Sequence, residues 1–164
     1  SHAMIAVRRA SSMDAGSMAD LLNTIIKKGG TTAKTQAVTA KEIVEWMEFS
    51  PNQSAWHVAV DNRETVTGFQ WFEPVAYLPP EACNIATFVE VGRNGLGIGS
   101  SLFEATKTAA RQLGYAWINA NIRTDNEGGV TYYQSRGFRD WRLDEGVELA
   151  DGTIVSKVHK RYDI

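Results

Sequence analysis

A glycine-rich stretch between residues 92 and 101 carries the strongest chemical signal in the chain. It reads Gly-Arg-Asn-Gly-Leu-Gly-Ile-Gly-Ser-Ser and runs directly into the apolar spacing of a helix. Glycine tolerates positive φ angles and leaves no Cβ between the backbone and a ligand. The first N–H groups of a helix lack an internal partner and carry the positive end of the helix dipole. The stretch therefore predicts a cradle for a phosphate or pyrophosphate group, without a lysine.

Two common phosphate-binding patterns do not fit this stretch. The P-loop spacing is present between Gly92 and Gly97, but Ile98 stands where the lysine is required. The dinucleotide pattern Gly-x-Gly-x-x-Gly would begin at Gly95, but Ser100 occupies its third glycine position and several predicted strands precede the loop. A glycine-rich turn that binds nothing stays open as an alternative.

Two motifs resemble those of the GNAT superfamily of N-acetyltransferases. The run from Asn94 to Gly99 resembles the superfamily's pyrophosphate loop, Gln/Arg-x-x-Gly-x-Gly/Ala, although Asn94 replaces the usual Gln or Arg. Farther along, Asn126 is followed seven residues later by Tyr133 and then by a Gly-Phe pair beginning at Gly137, as in the superfamily's asparagine, short helix, tyrosine and Gly-Phe. The two motifs occur in the superfamily's order, which makes the resemblance far more specific than either motif alone.

The resemblance implies an α/β (α+β) fold. Its central sheet is mixed, mostly antiparallel and twisted, with about seven strands flanked by about four helices. The fourth and fifth strands run parallel and splay apart, and here they would be residues 85–91 and 117–122. The pantetheine arm of acetyl-CoA would lie in the gap between them, with the glycine loop holding the pyrophosphate.

Hydrophobic periodicity predicts the same order of elements, β-α-α-β-β-β-α-β-α-β-β. Asp14 is expected to cap the first helix, which ends at the Gly-Gly pair 29–30. The second helix opens with a capping box from Thr39 to Glu42 and stops before Pro51. The segments 61–64 and 150–152 predict hairpin turns.

Acetyl transfer to an amine requires a neutral amine, stabilisation of an oxyanion and a proton for the leaving thiolate. The resemblance implies Tyr133 as the general acid, with Tyr132 as a packing residue. Glu90, at the end of the predicted fourth strand, is the candidate base; a solvated glutamate with water as the base is the alternative. Backbone N–H groups near Val89 or Val91 would stabilise the oxyanion and pair with the pantetheine.

The resemblance also implies which residues contact acetyl-CoA, the co-substrate. Asn126 would touch the coenzyme, and an N-cap role is compatible with that contact. Arg93 could supply the side-chain contact that the change at position 94 removes. The full set of expected coenzyme contacts is Val89, Val91, Arg93, Asn94, Gly95, Leu96, Gly97, Ile98, Gly99, Ser100, Asn126 and Tyr133.

The other nucleophiles and metal-binding residue types give no site. Cys83 precedes Glu90 by seven residues on an extended segment, roughly 20 Å at ~3.3 Å per residue, which is too far for a covalent acetyl-cysteine route. His57 and His159 have no carboxylate or second histidine at ligand spacing, so we predict no metal and expect both to be structural or exposed.

Composition restricts the class of protein. The 164 residues include 17 basic and 19 acidic side chains, and the net charge of −2 favours neither nucleic acid nor an anionic membrane as a partner. A single cysteine suits a reducing compartment. Residues 1–3 resemble an expression scar, and residues 4–164 are expected to form one domain. With no spanning run or signal-peptide pattern, we predict a cytoplasmic monomer or small oligomer, such as a homodimer.

The function predicted from these features is N-acetyl transfer from acetyl-CoA to a primary amine in a ternary complex. A small acceptor, such as an amino acid or its analogue, is favoured over a protein. One or two aromatic side chains would contact it, from the set Trp46, Phe49, Trp71, Phe72 and Tyr77. A non-catalytic acyl-CoA sensor with the same fold and a nucleotide-binding enzyme are the alternatives.

Overall fold

The predicted order of elements is confirmed in a computed structural model, which describes residues 4–93 and 97–164. Asn94, Gly95 and Leu96 lie outside the described residues, as do residues 1–3. Within the described ranges, no helix has the length and apolarity needed to cross a membrane. The helices are α1 (Ala15–Lys28), α2 (Ala40–Phe49), α3 (Ile98–Gln112) and α4 (Glu127–Ser135). The strands are β1 (Ala6–Arg9), β2 (Ala55–Val60), β3 (Val66–Glu73), β4 (Ala82–Val89), β5 (Trp117–Arg123), β6 (Arg139–Glu148) and β7 (Ile154–Asp163).

Local sequence signals explain most helix ends. Helix α1 ends at Gly29, whose φ of 73° needs a glycine. Helix α2 begins with the predicted capping box, in which Thr39 and Glu42 bond each other's backbone N–H groups. The prediction that the Asp14 side chain caps α1 is wrong. Its carboxylate instead accepts from the Ser11 N–H at 2.8 Å and pairs with Arg8. It therefore closes a preceding 3-10 turn and makes no side-chain bond to α1.

Among the described residues the sheet has seven strands in the order β1-β2-β3-β4-β5-β7-β6, and there only the neighbours β4 and β5 run parallel. These two strands pair from Ala82 to Ile85 against Trp117 to Ala120, and their pairing stops there. On the other edge of β4, strand β3 pairs with it up to Val89; on the other edge of β5, strand β7 pairs with it up to Arg123. Beyond this point β4 and β5 border a gap, and each strand remains hydrogen-bonded to the neighbour on its other side.

Strand alternation divides the side chains of β3 between two packed layers. Phe69 and Trp71 join the core beneath α1 and α2. Phe72 belongs to the core on the opposite face, beneath α3 and α4, and the buried Gln70 contacts α3 there. Helices therefore pack on both faces of the sheet, α1 and α2 on one and α3 and α4 on the other.

The predicted bounds of the fourth strand, 85–91, are wrong. The strand starts three residues earlier, at Ala82, because residues 82–84 pair with β5 and the last of them also pairs with β3. It ends at Val89, so Glu90 follows the strand and Val91 lies in a turn. The N–H of Glu90 still donates to the Thr67 carbonyl at 2.8 Å, which fixes its backbone beside β3.

Candidate active site

Tyr133 lies on α4, and its side chain reaches the strand that borders the gap. Its hydroxyl is 2.8 Å from Oγ1 of Thr87 on β4, two residues beyond the point where β4 leaves β5. The residue is buried, with 6% of its surface exposed. Burial raises the pKa of the phenol, and the neighbouring Tyr132 raises it further. The side chain is therefore a neutral hydrogen-bond donor across the working pH range.

Tyr132 occupies the space between α4 and the start of α3. Its hydroxyl donates to the Gly99 carbonyl at 2.6 Å and accepts from Gln70 Nε2 at 3.1 Å. A Cβ built at Gly99 would lie 2.6 Å from Cε1 of the tyrosine ring, closer than real atoms approach. The glycine at 99, which the sequence assigned to a phosphate contact, is thus required by this packing.

A buried chain of hydrogen bonds runs behind the two tyrosines. Gln70, fully buried on β3, donates from Nε2 to Thr87 Oγ1 at 2.8 Å. Its Oε1 accepts from the hydroxyl of Thr106, on α3, at 2.5 Å. Strand β3, helix α3 and the phenol of Tyr133 are therefore linked through one amide. Neither Gln70 nor Thr87 stands in a motif, so no local pattern indicates these hydrogen bonds.

The start of α3 has the conformation that the glycine stretch predicted. Gly97 is its N-cap with a left-handed φ of 78°, and Ile98 beside it is buried with 1% of its surface exposed. Helix geometry leaves the first N–H groups without intrahelical partners. Arg136, at the end of α4, donates from Nη1 to Ser100 Oγ and so brings a positive charge to this helix end. Sequence reasoning missed this arginine.

Glu90 and Arg93 form an ion pair directly after β4. The Arg93 Nε lies 2.8 Å from Glu90 Oε2, so the two side chains form an ion pair. Arg93 Nη2 is also 3.7 Å from the Asp61 carboxylate in the β2–β3 turn. The predicted base and the predicted phosphate contact are thus placed together, with Arg93 already held between two carboxylates.

Asn126 is the N-cap of α4, as expected. Its Oδ1 accepts from the Gly129 N–H at 3.0 Å, and its Nδ2 donates to the Thr31 carbonyl at 2.9 Å. The side chain therefore ties α4 to the loop between α1 and α2. Both of its polar ends have protein partners in this arrangement.

The other face of the β4–β5 junction is lined by a polar cluster. Asn119 Nδ2 donates to Asn84 Oδ1 at 3.0 Å, where the Tyr77 hydroxyl also reaches at 3.3 Å. The Tyr77 ring packs edge-on against His159, at 5.5 Å between centroids. His159 is buried, as a structural histidine should be, and its Nε2 lies 3.0 Å from Asp144 Oδ2. Sequence spacing did not show this carboxylate.

A cavity of 410 Å³ lies on the same face as the polar cluster, beside α2. Lys34 Nζ stands 4.2 Å from the ring centroid of Trp46, which in turn stacks on Trp71. Burial lowers the pKa of Lys34 and raises that of Glu73. Of the five aromatic candidates for acceptor contact, three line this cavity and Phe72 is buried on the opposite face. The lining residues are Lys34, Glu45, Trp46, Phe49, Trp71 and Glu73.

The cysteine and the metal-binding residue types supply no further chemistry in the described ranges. Cys83 is fully buried, and burial raises the pKa of its thiol to about 12. A thiol in that state is a poor nucleophile at neutral pH. Across residues 4–93 and 97–164, no three His, Cys, Asp or Glu side chains are grouped to hold a metal ion.

Comparisons with known proteins agree with this architecture. No protein-family model matches the chain. The Bacillus subtilis protein YwnH, provisionally named a phosphinothricin acetyltransferase, is 26% identical over 160 residues, which cover 96% of this chain and 94% of YwnH. An N-acetyltransferase from Staphylococcus aureus superposes with a TM-score of 0.87 at 21% identity, over 98% of each chain. A GNAT superfamily phosphinothricin acetyltransferase from Sinorhizobium meliloti, solved in complex with acetyl-CoA, gives a TM-score of 0.84 at 17% identity, over 98% of this chain and 88% of that one.

The resemblance stated from the sequence motifs is thereby confirmed. The seven-stranded mixed sheet, its parallel fourth and fifth strands and the four helices are those of the GNAT fold. The chain therefore has the GNAT fold, and the proteins to which it is similar along nearly its whole length are named acetyltransferases.

Proposed function

We propose that this protein transfers the acetyl group of acetyl-CoA to the primary amine of a small molecule, by direct attack in a ternary complex. The observation that carries the proposal is the parting of β4 from β5 beside the buried hydroxyl of Tyr133. A donor can lie in that gap, and an acceptor can approach it from the other face of the sheet.

The residues around the gap suit acetyl-CoA, which supplies the acetyl group as a thioester. Beyond Ile85 and Ala120 the facing edges of β4 and β5 are free to bond an extended amide chain such as pantetheine. The start of α3 offers N–H groups to a pyrophosphate, and the guanidinium of Arg136 stands beside them at Ser100. These positions support the coenzyme contacts implied by the resemblance.

Three groups divide the chemistry in this proposal. Tyr133 donates a proton to the leaving sulfur. Glu90 accepts the proton that the amine must lose, directly or through water. The backbone near Val89, the last residue of β4, donates to the developing oxyanion. Arg93 lies beside this carboxylate, in an ion pair with Glu90.

The cavity beside α2 supports a small acceptor. Its volume of 410 Å³ is in the usual range for small-molecule sites. Trp71 lies opposite Ala86, the first residue of β4 beyond the paired segment, and points to the face opposite Gln70. Lys34 could bind a carboxylate, while the tryptophans could cover an apolar body. The names of the Bacillus and Sinorhizobium proteins, phosphinothricin acetyltransferases, also favour a small amine.

Thermal-shift titration with CoA, acetyl-CoA, NAD and ATP, followed by thiol release against a panel of amines, tests the proposal. We expect stabilisation by CoA and acetyl-CoA, with thiol release for one class of amine. Stabilisation by NAD or ATP in preference to CoA would point to the nucleotide-binding enzyme. Binding of acetyl-CoA without release for any amine would favour the acyl-CoA sensor.

Two further expectations belong to this proposal. We infer a cytoplasmic protein, to be tested by fractionation of the source cells. We also infer a homodimer, which sedimentation at micromolar concentration would detect as twice the chain mass of 18.1 kDa. A monomer under those conditions would contradict the second inference.

A further inference from the structure

The hydrogen bonds behind Tyr133 have a direction that the structure determines. The chain begins at the Gly99 carbonyl, which can only accept a hydrogen bond. Tyr132 lies 2.6 Å away and must therefore donate its single hydroxyl proton to it. The oxygen of Tyr132 is then left as an acceptor toward Gln70, 3.1 Å away. This first step fixes which way the Gln70 amide is turned.

The amide of Gln70 must present its NH₂ group to Tyr132 and its oxygen to Thr106. The contact with Thr106 agrees, because that hydroxyl donates to Oε1 at 2.5 Å. The same NH₂ group lies 2.8 Å from Thr87 Oγ1 and donates its second proton there. With the amide turned the other way, two acceptors would face each other at Tyr132.

Thr87 passes this direction on to Tyr133. Its oxygen accepts from Gln70, so its own proton is available for another partner. Among the described residues, the remaining polar partner of this hydroxyl is Tyr133 Oη, at 2.8 Å. When Thr87 donates to the phenol oxygen, every proton in this series has an acceptor, and the phenol proton of Tyr133 is left free for a ligand in the gap.

We propose that Gln70 and Thr87 are positioning residues that orient the phenol proton of Tyr133 toward the leaving sulfur. The proposal rests on the acetyl-transfer function stated above. It adds to that function a series of hydrogen bonds in which Gln70 donates to Thr87 and Thr87 donates to Tyr133. When the Oη–H bond breaks, the phenolate oxygen keeps the hydrogen bond from Thr87, which stabilises its charge.

The proton balance of the step is complete without another reactant. The amine loses one proton to Glu90 or water as its bond to the acetyl carbon forms. The carbon–sulfur bond breaks, and the sulfur takes the proton of Tyr133. The phenolate then recovers a proton from the solvent, which has received the one lost by the amine. The net products are one N-acetyl amine and one CoA thiol.

The burial of Tyr133 makes this support necessary. Desolvation opposes formation of a phenolate, so an unsupported phenol at this place would be a weak acid. A hydrogen bond from Thr87 favours the charged form and offsets part of that effect. Loss of the Thr87 hydroxyl should therefore weaken Tyr133 as an acid without disturbing the coenzyme.

A double-mutant cycle on kcat tests the coupling between Thr87 and Tyr133. We expect Thr87→Val to lower kcat about tenfold in the wild-type background and less than about twofold in a Tyr133→Phe background. Thr87→Ser should recover most of the lost rate, and the KM for acetyl-CoA should stay within about twofold. Ser54→Ala is the control, because Ser54 is buried and its hydroxyl bonds the Ser50 carbonyl, apart from these hydrogen bonds. Equal losses from Thr87→Val in both backgrounds would overturn the proposal.

A second measurement does not depend on acetyl transfer. A polyfluorinated tyrosine placed at position 133 has a more acidic phenol, whose titration can be followed by fluorine NMR. We expect its pKa to rise by about one unit in Thr87→Val and in Gln70→Met, but not in Ser54→Ala. Unchanged titration in the first two variants would overturn the proposal even if acetyl transfer is established. If the pKa of the fluorinated phenol shifts but the protein does not turn over acetyl-CoA, the result would count against the proposed function.

Discussion

Gly99 and Tyr132 fit together at a distance that excludes any side chain at position 99. A Cβ there would lie 2.6 Å from Cε1 of the ring, while the Gly99 carbonyl accepts a 2.6 Å bond from the phenol. The same contact sets the direction of the hydrogen bonds that reach Tyr133. A glycine of the predicted phosphate loop thus also supports the tyrosine pair of α4.

Gly99→Ala should destabilise the protein by about 1–3 kcal/mol, because the added methyl group must displace the ring of Tyr132. In a Tyr132→Ala background the methyl group has room, so the same change should cost far less. Gly16→Ala is the control: its added Cβ meets nothing within 4 Å in α1, and we expect a gain of about 0.5 kcal/mol. Urea unfolding measures all four variants. Equal costs of Gly99→Ala in both backgrounds would show that the clash is absent.

Tyr133→Phe should lower kcat on the order of 10²-fold, because the phenol is the proposed proton donor to sulfur. The affinity for acetyl-CoA should be nearly unchanged, since the ring remains in place. Steady-state kinetics and a thermal-shift titration measure the two quantities.

Tyr115→Phe is the matched control for that variant. Tyr115 donates to the Gln53 carbonyl at 2.5 Å in a buried place away from the gap. Loss of this hydroxyl should lower the free energy of unfolding by about 1 kcal/mol and leave kcat unchanged. If Tyr133→Phe turns over acetyl-CoA as fast as the wild-type protein, the phenol has no part in the chemistry.

The stability of the protein should fall as the pH falls from 6.5 toward 4, with a contribution from His57. Burial lowers the pKa of His57 to about 4, and the positive charge of Arg9 adds to the effect. In this window the unfolded chain binds a proton at His57 that the folded chain does not. The stabilising contribution is therefore complete above pH 6.5 and is lost as the pH falls through the folded-state pKa.

His57→Gln removes this titration and should flatten the stability profile between pH 6.5 and 4. One group can contribute a slope of at most about 1.4 kcal/mol per pH unit. Urea unfolding at several pH values gives the slopes for both proteins, and comparing slopes avoids any change in absolute stability. Parallel profiles for the two proteins would mean that His57 titrates in the folded state as it does in the unfolded one.

Lys34→Met should raise the KM for acceptors that carry a carboxylate, by about tenfold, and leave the KM for acetyl-CoA unchanged. The reason is that Lys34 is the cation of the cavity beside α2, where burial strengthens its attraction for an anion. Lys41→Met is the control, since Lys41 is an exposed residue of α2 that does not line the cavity. An unchanged acceptor KM in Lys34→Met would place the acceptor elsewhere.

Much of the fold could be predicted because its signals are local. The capping box at Thr39, the glycine end of α1 and the spacing from Asn126 to Tyr133 each depend on residues close in the sequence. The bounds of β4 failed for the opposite reason. Residues 82–84 become a strand through bonds to β3 and β5, which no local pattern reveals.

The polar interior of the site could not be predicted from spacing. Gln70 and Thr87 belong to neighbouring strands and are paired directly in the sheet register. The approach of Asp144 to His159 depends on a hairpin whose register shifts at two places, so counting back from its turn misplaces the partner. Arg136 reaches Ser100 only because α4 packs beside the start of α3.

Acetyl transfer by this protein is tested by measuring N-acetylated amine and free CoA thiol in one reaction of the purified protein with acetyl-CoA and an amine. Mass spectrometry gives the first quantity and a thiol reagent the second. Both products should accumulate in equal amounts, both should require the amine, and both should fall together in Tyr133→Phe. Thiol release without acetylated amine, or no release although acetyl-CoA binds, would contradict acetyl transfer.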